Sequence, residues 1–362
     1  MEPLRKVVEF FEELFPPSFA LPEDRIGLQV QAKGTVDKIL VALELNHEVF
    51  QKAVNWTCDF LYLHHSPLWE PLRKLSCEDP LFRMLGELYT RGISVLVHHT
   101  NLDIAPQGIG DQWLKLLDLR GDTKPLLPAT HLKKYKVVTF VPPTHLDAVL
   151  EALFQEGAGV IGSYRNCAFL VSGTGTFLPE EDTHPFIGTS GKQEKVEEIR
   201  VEVEVPSAKL NRVLEALVEV HPYEQPAIDV YPLVLPSKSL GLGRVVSLSA
   251  PLSGEEIRER LSRLSVPFEF TGGDGTFGKI ALCPGSGRTL LPKVIEERAD
   301  LFVTGDLTHH DIEALRLFGI AYLHIPHGIS ERRALREVAL FVRKKAQERG
   351  LNVNIAFEEE VP

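Results

Sequence analysis

Cysteine is scarce in this chain of 362 residues. The four present, Cys58, Cys77, Cys167 and Cys283, include no pair in a C-x-x-C spacing. That excludes a zinc–thiolate knuckle and gives no disulfide framework. Long apolar runs are also missing, since none reaches the roughly 20 residues of a membrane-spanning helix. Residues Met1–Phe15 mix Glu, Arg and Lys with apolar side chains, which no secretory leader does. A reducing cytoplasm is the expected location. Positive charge is in short supply: 39 Lys and Arg stand against 50 Asp and Glu, for a net charge of -11. Such a chain offers no broad phosphate-binding surface, so duplex DNA is disfavoured as a partner. A nucleotide loop is lacking too. Gly285-Ser286-Gly287 is neither a Walker loop nor a full G-x-G-x-x-G, and reads as a tight turn. What remains is ordinary for a globular protein, with 44% apolar and 25% charged residues. The length suits two or three domains.

Histidine is where the chain departs from the ordinary. Eight of its 13 histidines fall at the ends of four short apolar runs. Leu61–Leu63 leads into His64, His65 and Pro67. Ile93–Val97 leads into His98, His99 and Asp103. Leu301–Val303 leads into Thr304, Gly305 and Asp306, with His309 and His310 just beyond. Ile320–Leu323 leads into His324, His327 and Glu331. Each run reads as a buried strand with metal-capable side chains at its carboxyl end, where open α/β sheets bind ligands.

The rest of the chain places these strands. Leu4, Val7, Val8, Phe11 and Leu14 mark an amphipathic helix ended by Pro16-Pro17. Glu23–Val30 reads as a turn leading into a short strand, and strands at Lys38–Leu45, Phe60–Leu63 and Ile93–Val97 alternate with helices at Val49–Trp56, Pro80–Arg91 and Gly108–Leu117. This alternation predicts a mainly parallel, doubly wound α/β sheet. Gly121–Thr130, with its two prolines, reads as a linker. Beyond it the pattern VPxxxLxxVLEAL occurs twice, at 141–153 and 205–217. Both copies have helical apolar spacing and follow a strand, with Thr144 and Ser207 as expected N-caps. With further strands at Cys167–Val171 and Ala227–Tyr231 they suggest a ferredoxin-like module. His221-Pro222-Tyr223-Glu224 within it reads as a specialised turn or subunit contact, with a ligand contact as the alternative. The α/β texture resumes near Pro236, with helices at Glu255–Leu264, Leu291–Glu297 and Ser330–Lys345 and a strand at Lys279–Leu282. The expected plan is therefore 1–128 and 236–362 as one α/β domain, with 129–235 inserted.

His64 and His65, being neighbours, would point to opposite faces of a regular strand. Either the chain turns there, as Pro67 allows, or each serves a different ion of a close pair. His327 and Glu331 are four apart and converge if Glu331 sits in the first turn of the last helix. His64, His65, Asp103, His327 and Glu331 give nitrogen and oxygen donors without thiolate, which suits Zn, Mn, Fe, Co or Ni. Five donors exceed one catalytic zinc but suit two ions sharing a carboxylate. His98 and His99, beside Asp103, are the candidate catalytic proton carriers. His309, His310 and His324 read as polar lining residues.

The motifs DRIGLQV (24–30), LYLHHSPLW (61–69), HTNLD (99–103), VTGDLTHH (303–310) and PHGISE (326–331) resemble those of the Nif-three-like proteins, labelled GTP cyclohydrolase 1 type 2 homologs. The resemblance implies a two-metal site on His64, His65, Asp103, His327 and Glu331. It makes zinc the first choice, with GTP or another small molecule as the substrate of a metal-dependent hydrolase. The alternative it leaves open is a non-catalytic, ligand-sensing metal protein with a channel for single-stranded nucleic acid. Within the insert, YKVVTFVP (135–142), GAGVIGSYRNCAF (157–169), GTGTF (173–177), PFIG (185–188) and HPYEQPAIDVY (221–231) resemble the PII/CutA-like module of the long members. Those members form homohexamers built as dimers of trimers. Gln31, Glu44-Leu45-Asn46 and Pro326-His327-Gly328 depart from the usual family pattern.

Overall fold

The computed structural model describes residues 1–362 except 33, 71–73, 75, 77, 130, 131, 133, 162, 163 and 234–239. Cys77, Thr130 and the expected boundary at 235/236 lie outside the described residues. The chain divides into two compact units, one made of residues 1–129 and 237–362, the other of residues 130–236.

The first unit contains two large mixed sheets where the sequence pattern predicted one doubly wound sheet. In the first, Asn354–Phe357, Lys38–Ala42, Phe60–Leu63 and Ser94–Val97 run parallel, and Gly27–Val30 closes one edge antiparallel. In the second, Thr276–Ser286, Leu301–Gly305 and Ala321–His324 run parallel. Antiparallel strands flank them: Arg244–Ser253 and Gly121–Lys124 on one side, Glu269–Phe270 on the other.

Side-chain alternation explains the layering. Along the first sheet, Ile39, Val41, Phe60, Tyr62 and Leu96 face one core, which also takes Val246, Ile280, Leu282, Val303 and Leu323 of the second sheet. The helices Leu4–Leu14, Ile109–Leu116 and His327–Glu348 contribute to this shared core. Leu40, Leu61, Leu63, Val95 and Val97 point the other way, onto the helices His47–Asn55 and Pro80–Thr90. Val245, Ala281, Phe302 and Tyr322 of the second sheet face a separate cluster with Leu291 and Leu315. Strands apolar on both faces are what parallel sheets covered by helices require.

Gly121–Thr130 is not simply a linker. Gly121–Lys124 is an edge strand of the second sheet, and Leu127–Pro128 pairs with Gly241–Leu242. The edge strand is exposed along its length, so it carries no apolar alternation to betray it. Gly121 is required because a Cβ there would meet the Ser247 carbonyl oxygen at 1.9 Å. Arg244 secures the same corner. It is buried, ion-paired with Asp111 at 2.5 Å, and donates to the carbonyls of Gly241 and Gly243 at 2.8 Å.

In the second unit, Lys134–Val141, Ala168–Phe177, Glu194–Pro206 and Ile228–Leu233 form one antiparallel sheet, with Glu194–Pro206 and Lys134–Val141 in the centre. The helices Leu146–Gln155 and Leu210–Val220 lie on one face and bury Val149, Leu153, Val213 and Leu217 against Val137, Val201, Val203 and Val205. Chain order is β-α-β-β-α-β. Thr144 and Ser207 do not cap these helices. Each helix is entered through a short 3-10 turn, and the Thr144 hydroxyl instead pairs with the His145 ring at 2.9 Å.

The stem of the second unit is closed within the first. The Ala129 N–H donates to the Leu240 carbonyl at 2.9 Å, beside the paired Leu127–Pro128 and Gly241–Leu242. Replacing residues 130–239 with a short Gly/Ser linker should therefore leave a soluble first unit that unfolds in one cooperative transition, read by circular dichroism in urea. An insoluble product, or a broad non-cooperative transition, would contradict this.

Candidate metal centre

The parallel strands of both sheets end at one cleft of about 490 Å³. The strand Phe60–Leu63 stops before the histidine pair, where the His65 N–H turns back to the Leu43 carbonyl at 2.8 Å. This bend settles the question posed by adjacent histidines: both rings face the same space, with centroids 5.1 Å apart. The strand Ser94–Val97 delivers His99 and, one helical turn on, Asp103. Pro326 precedes the long helix, which starts at His327 rather than Ser330, so Glu331 lies one turn in and not in the first turn. The i,i+4 spacing still brings His327 Nε2 to 3.0 Å from Glu331 Oε2.

The imidazoles are tethered through Nδ1. His64 donates to the His98 carbonyl oxygen at 3.0 Å. His99 Nδ1 pairs with Asp24 at 2.9 Å, and His327 Nδ1 with Asp306 at 2.5 Å. His65 Nδ1 lies 3.5 Å from Glu44. In a neutral ring such a contact places the proton on Nδ1 and leaves Nε2 as the lone pair. His64 Nε2 stands 3.7 Å from Asp103 Oδ1 and 3.9 Å from Glu331 Oε1, while His65 Nε2 is 2.9 Å from Glu331 Oε2. Despite these short distances, His64 Nε2 and Glu331 Oε2 are buried with no partner in hydrogen-bond geometry among the described residues. Buried polar atoms are rarely left so. Donors that approach one another without bonding are what a shared cation would require. Among the described residues, two groups have donor atoms close enough to hold an ion: His64, His65 and His99, and His65, His327 and Glu331.

Electrostatics fits the same arrangement. Burial pushes His64 down to about 3, so the ring is neutral at every physiological pH. Burial pushes Asp103 up to about 7, against the pull of His99. Burial also opposes ionisation of Glu331, but His327, His65 and His64 overcome it and hold the carboxyl below its usual range. The Glu331 carboxylate in turn lifts His327 to about 9. Burial lowers His99, yet Asp24 outweighs it and the net shift is upward.

Glycine makes room for the central carboxylate. A Cβ on Gly285, where φ is +74°, would lie 2.0 Å from Glu331 Oε1. The Gly285 N–H donates to Ser330 Oγ at 2.9 Å, which fixes the loop on the helix start. Gly287 donates to Thr304 Oγ1 at 2.9 Å, so the Gly-Ser-Gly stretch is a packed turn. Asp306 sits at φ 51°, in the left-handed region that Asp tolerates better than most residues, and this aims it at His327.

His98 does not reach the cleft. The strand alternation carries it inward, fully buried between Tyr62 and Phe15, so its expected role as a proton carrier has no route to a substrate. His309 and His310 are exposed on the helix His309–Leu317, and His324 pairs across strands with Glu269. None of these three lines the cleft. Asp24, Glu44 and Asp306 went unrecognised as partners of the histidines. Asp24 lies inside a quoted motif and Asp306 ends a strand, but no spacing links either to its imidazole.

The molecule is thus an α/β protein with a His- and Glu-rich cleft able to hold a metal ion, set at the strand ends of its first unit. The profile of the Duf34/NIF3 (NGG1p interacting factor 3) family matches residues 3–362, and the chain belongs to that family. It is 36% identical to a GTP cyclohydrolase 1 type 2 homolog of Halalkalibacterium halodurans, over 90% of this chain and 88% of that one. The protein of the same description from Bacillus subtilis is 32% identical over 87% and 86%. Among solved structures, a Bacillus cereus protein related to NIF3 superposes with a TM-score of 0.80 at 31% identity, covering 98% of this chain and 95% of that one. A Staphylococcus aureus protein at 22% identity shares the fold, with a TM-score of 0.77.

Two outcomes follow. Near pH 8 the metal-free protein carries a proton on His327, because its ordinary value is raised to about 9. A metal must displace that proton, so zinc uptake should release protons and tighten as pH rises towards 9. Calorimetry in two buffers of different ionisation enthalpy reads this directly, and identical heats would contradict it. Gly285→Ala should displace Glu331 and weaken zinc binding by about 10–100-fold with the fold intact. Unchanged affinity would refute the close approach.

Proposed function

We propose that the cleft is a dinuclear divalent-metal centre and that the protein is a metal-dependent hydrolase. His64, His65, Asp103, His327 and Glu331 would hold the ions, with Glu331 shared between them. Zinc is the first choice, with iron or manganese as alternatives. The observation that carries this reading is the set of His64, His65 and His327, held at Nδ1 by the His98 carbonyl, Glu44 and Asp306, with their Nε2 atoms turned towards Asp103 and Glu331. Divalent ions bound there supply Lewis acidity and a water acidic enough to act as nucleophile near neutral pH. The chain's own contributions are separate. His99, backed by Asp24, can take up or deliver a proton at Nε2 on the cleft side. Trp69 packs edge-on to His99, and Leu21, Ile109 and Leu290 line the cleft, which favours a flat, partly apolar substrate. The description carried by the relatives makes GTP the first compound to test.

On this reading the second unit is a PII/CutA-like ferredoxin-like insert, supported by its β-α-β-β-α-β order and sheet pairing. Its exposed apolar residues, including Phe169, Leu170, Val171 and Tyr231, support self-association into the expected dimer of trimers. A cytoplasmic location accords with the scarcity of cysteine. No helix among the described residues is long and apolar enough to cross a membrane. The second reading, a metal protein that senses a ligand without turnover, is favoured by a separate pocket in the insert.

The test loads the protein with Zn, Mn or Fe and follows formate release from GTP and phosphate release from a phosphoester panel. Wild type should exceed His65→Ala by orders of magnitude on at least one substrate. Equal rates on every substrate would remove the hydrolase reading and leave the sensing one.

A further inference from the structure

The second unit holds a cavity of about 380 Å³, within the range of small-molecule sites. Phe140, Phe177, Phe186 and Tyr223 supply aromatic walls, and Glu198 sits among them with only 8% of its surface exposed. Its Oε1 accepts the Tyr223 hydroxyl at 2.8 Å. Among the described residues no Lys or Arg forms an ion pair with the carboxylate, and the nearby His221 bonds through its ring to the Phe140 carbonyl oxygen at 3.1 Å rather than to Glu198. Arg200 stacks on the Phe140 ring at 5.5 Å but is bonded to Glu202. A buried carboxylate without a cationic partner is costly unless something neutralises it. The fold nonetheless makes room for this one. A Cβ on Gly175 would lie 2.0 Å from Glu198 Oε2, so the neighbouring strand is pared back to glycine where the carboxylate lies. At the rim, Glu224 adds a second carboxylate, held by the His184 N–H at 3.2 Å. No basic side chain lines the cavity.

Aromatic faces around a carboxylate that has no ion-pair partner select positive charge. The rings attract a cation through their quadrupoles, and the carboxylate completes its neutralisation. Anionic ligands such as nucleotides are disfavoured by the same set. We propose that this cavity is a binding site for a small organic ammonium ion, independent of the metal cleft. The cation's charged head meets Glu198, and its carbon skeleton packs on Phe140, Phe186 and Tyr223.

Calorimetric titration of the full-length protein tests this with choline and with n-butylamine. Their neutral isosteres, neohexyl alcohol and n-butanol, serve as controls. At least one ammonium ion should bind about tenfold more tightly than its neutral counterpart. Glu198→Gln keeps the acceptor for the Tyr223 hydroxyl and should abolish that preference. Gly175→Ala, which displaces the carboxylate, should weaken it. The preference should persist in His65→Ala and in chelator-treated protein. Three results would each overturn the proposal. Neither cation is preferred, the preference survives in a folded Glu198→Gln protein, or it is lost with His65→Ala, which would place the binding at the metal cleft.

Discussion

A buried carboxylate ringed by imidazole nitrogens is the constraint on which the first unit depends. Glu331 is only 5% exposed and His64 not at all. Holding an ionised carboxylate there costs several kcal/mol unless positive charge compensates it. In the metal-free protein His327 supplies that charge, which is why the two groups shift each other in opposite directions. A divalent cation held by these residues would supply it better. The aspartates and carbonyl behind the imidazoles do not touch the central space, yet they decide which nitrogen faces it.

The scaffold converts this local demand into position. Two sheets share one core, and their parallel strands end at the same cleft. The donors from the first sheet come at the ends of Phe60–Leu63 and Ser94–Val97. The second sheet brings Gly285 and Asp306, and the helix after its last parallel strand brings His327 and Glu331. Trp113 locks the two halves of the site, donating from its indole to the Ser330 carbonyl at 2.9 Å next to Glu331. A shift of one sheet against the other would pull the donors apart, so core packing and site geometry are one problem.

Much of this was legible in the chain because it rests on local pattern. Apolar runs ending in histidine marked the strand ends, and i,i+4 spacing joined His327 to Glu331. The repeat at 141–153 and 205–217 revealed two strand–helix units. What escaped was whatever depends on pairing distant segments. Arg244–Ser253 and Asn354–Phe357 are strands by virtue of their neighbours, and Gly121–Lys124 is an exposed edge without alternation. The division into two sheets follows from which strands pair, which periodicity cannot reveal. His98 and His99 look equivalent in sequence. A single step of the pleat sends one into the core beside Tyr62 and leaves the other, at the strand end, facing the cleft.

The most direct test is metal content. Protein supplied with zinc during expression, or reconstituted after chelation, should carry two divalent ions per chain by elemental analysis. Glu331→Ala, which removes the carboxylate that the proposal has two cations share, should lose most of both while retaining its circular dichroism spectrum. Wild-type protein without bound metal after careful supply, or a Glu331→Ala variant that keeps its full complement, would contradict the account.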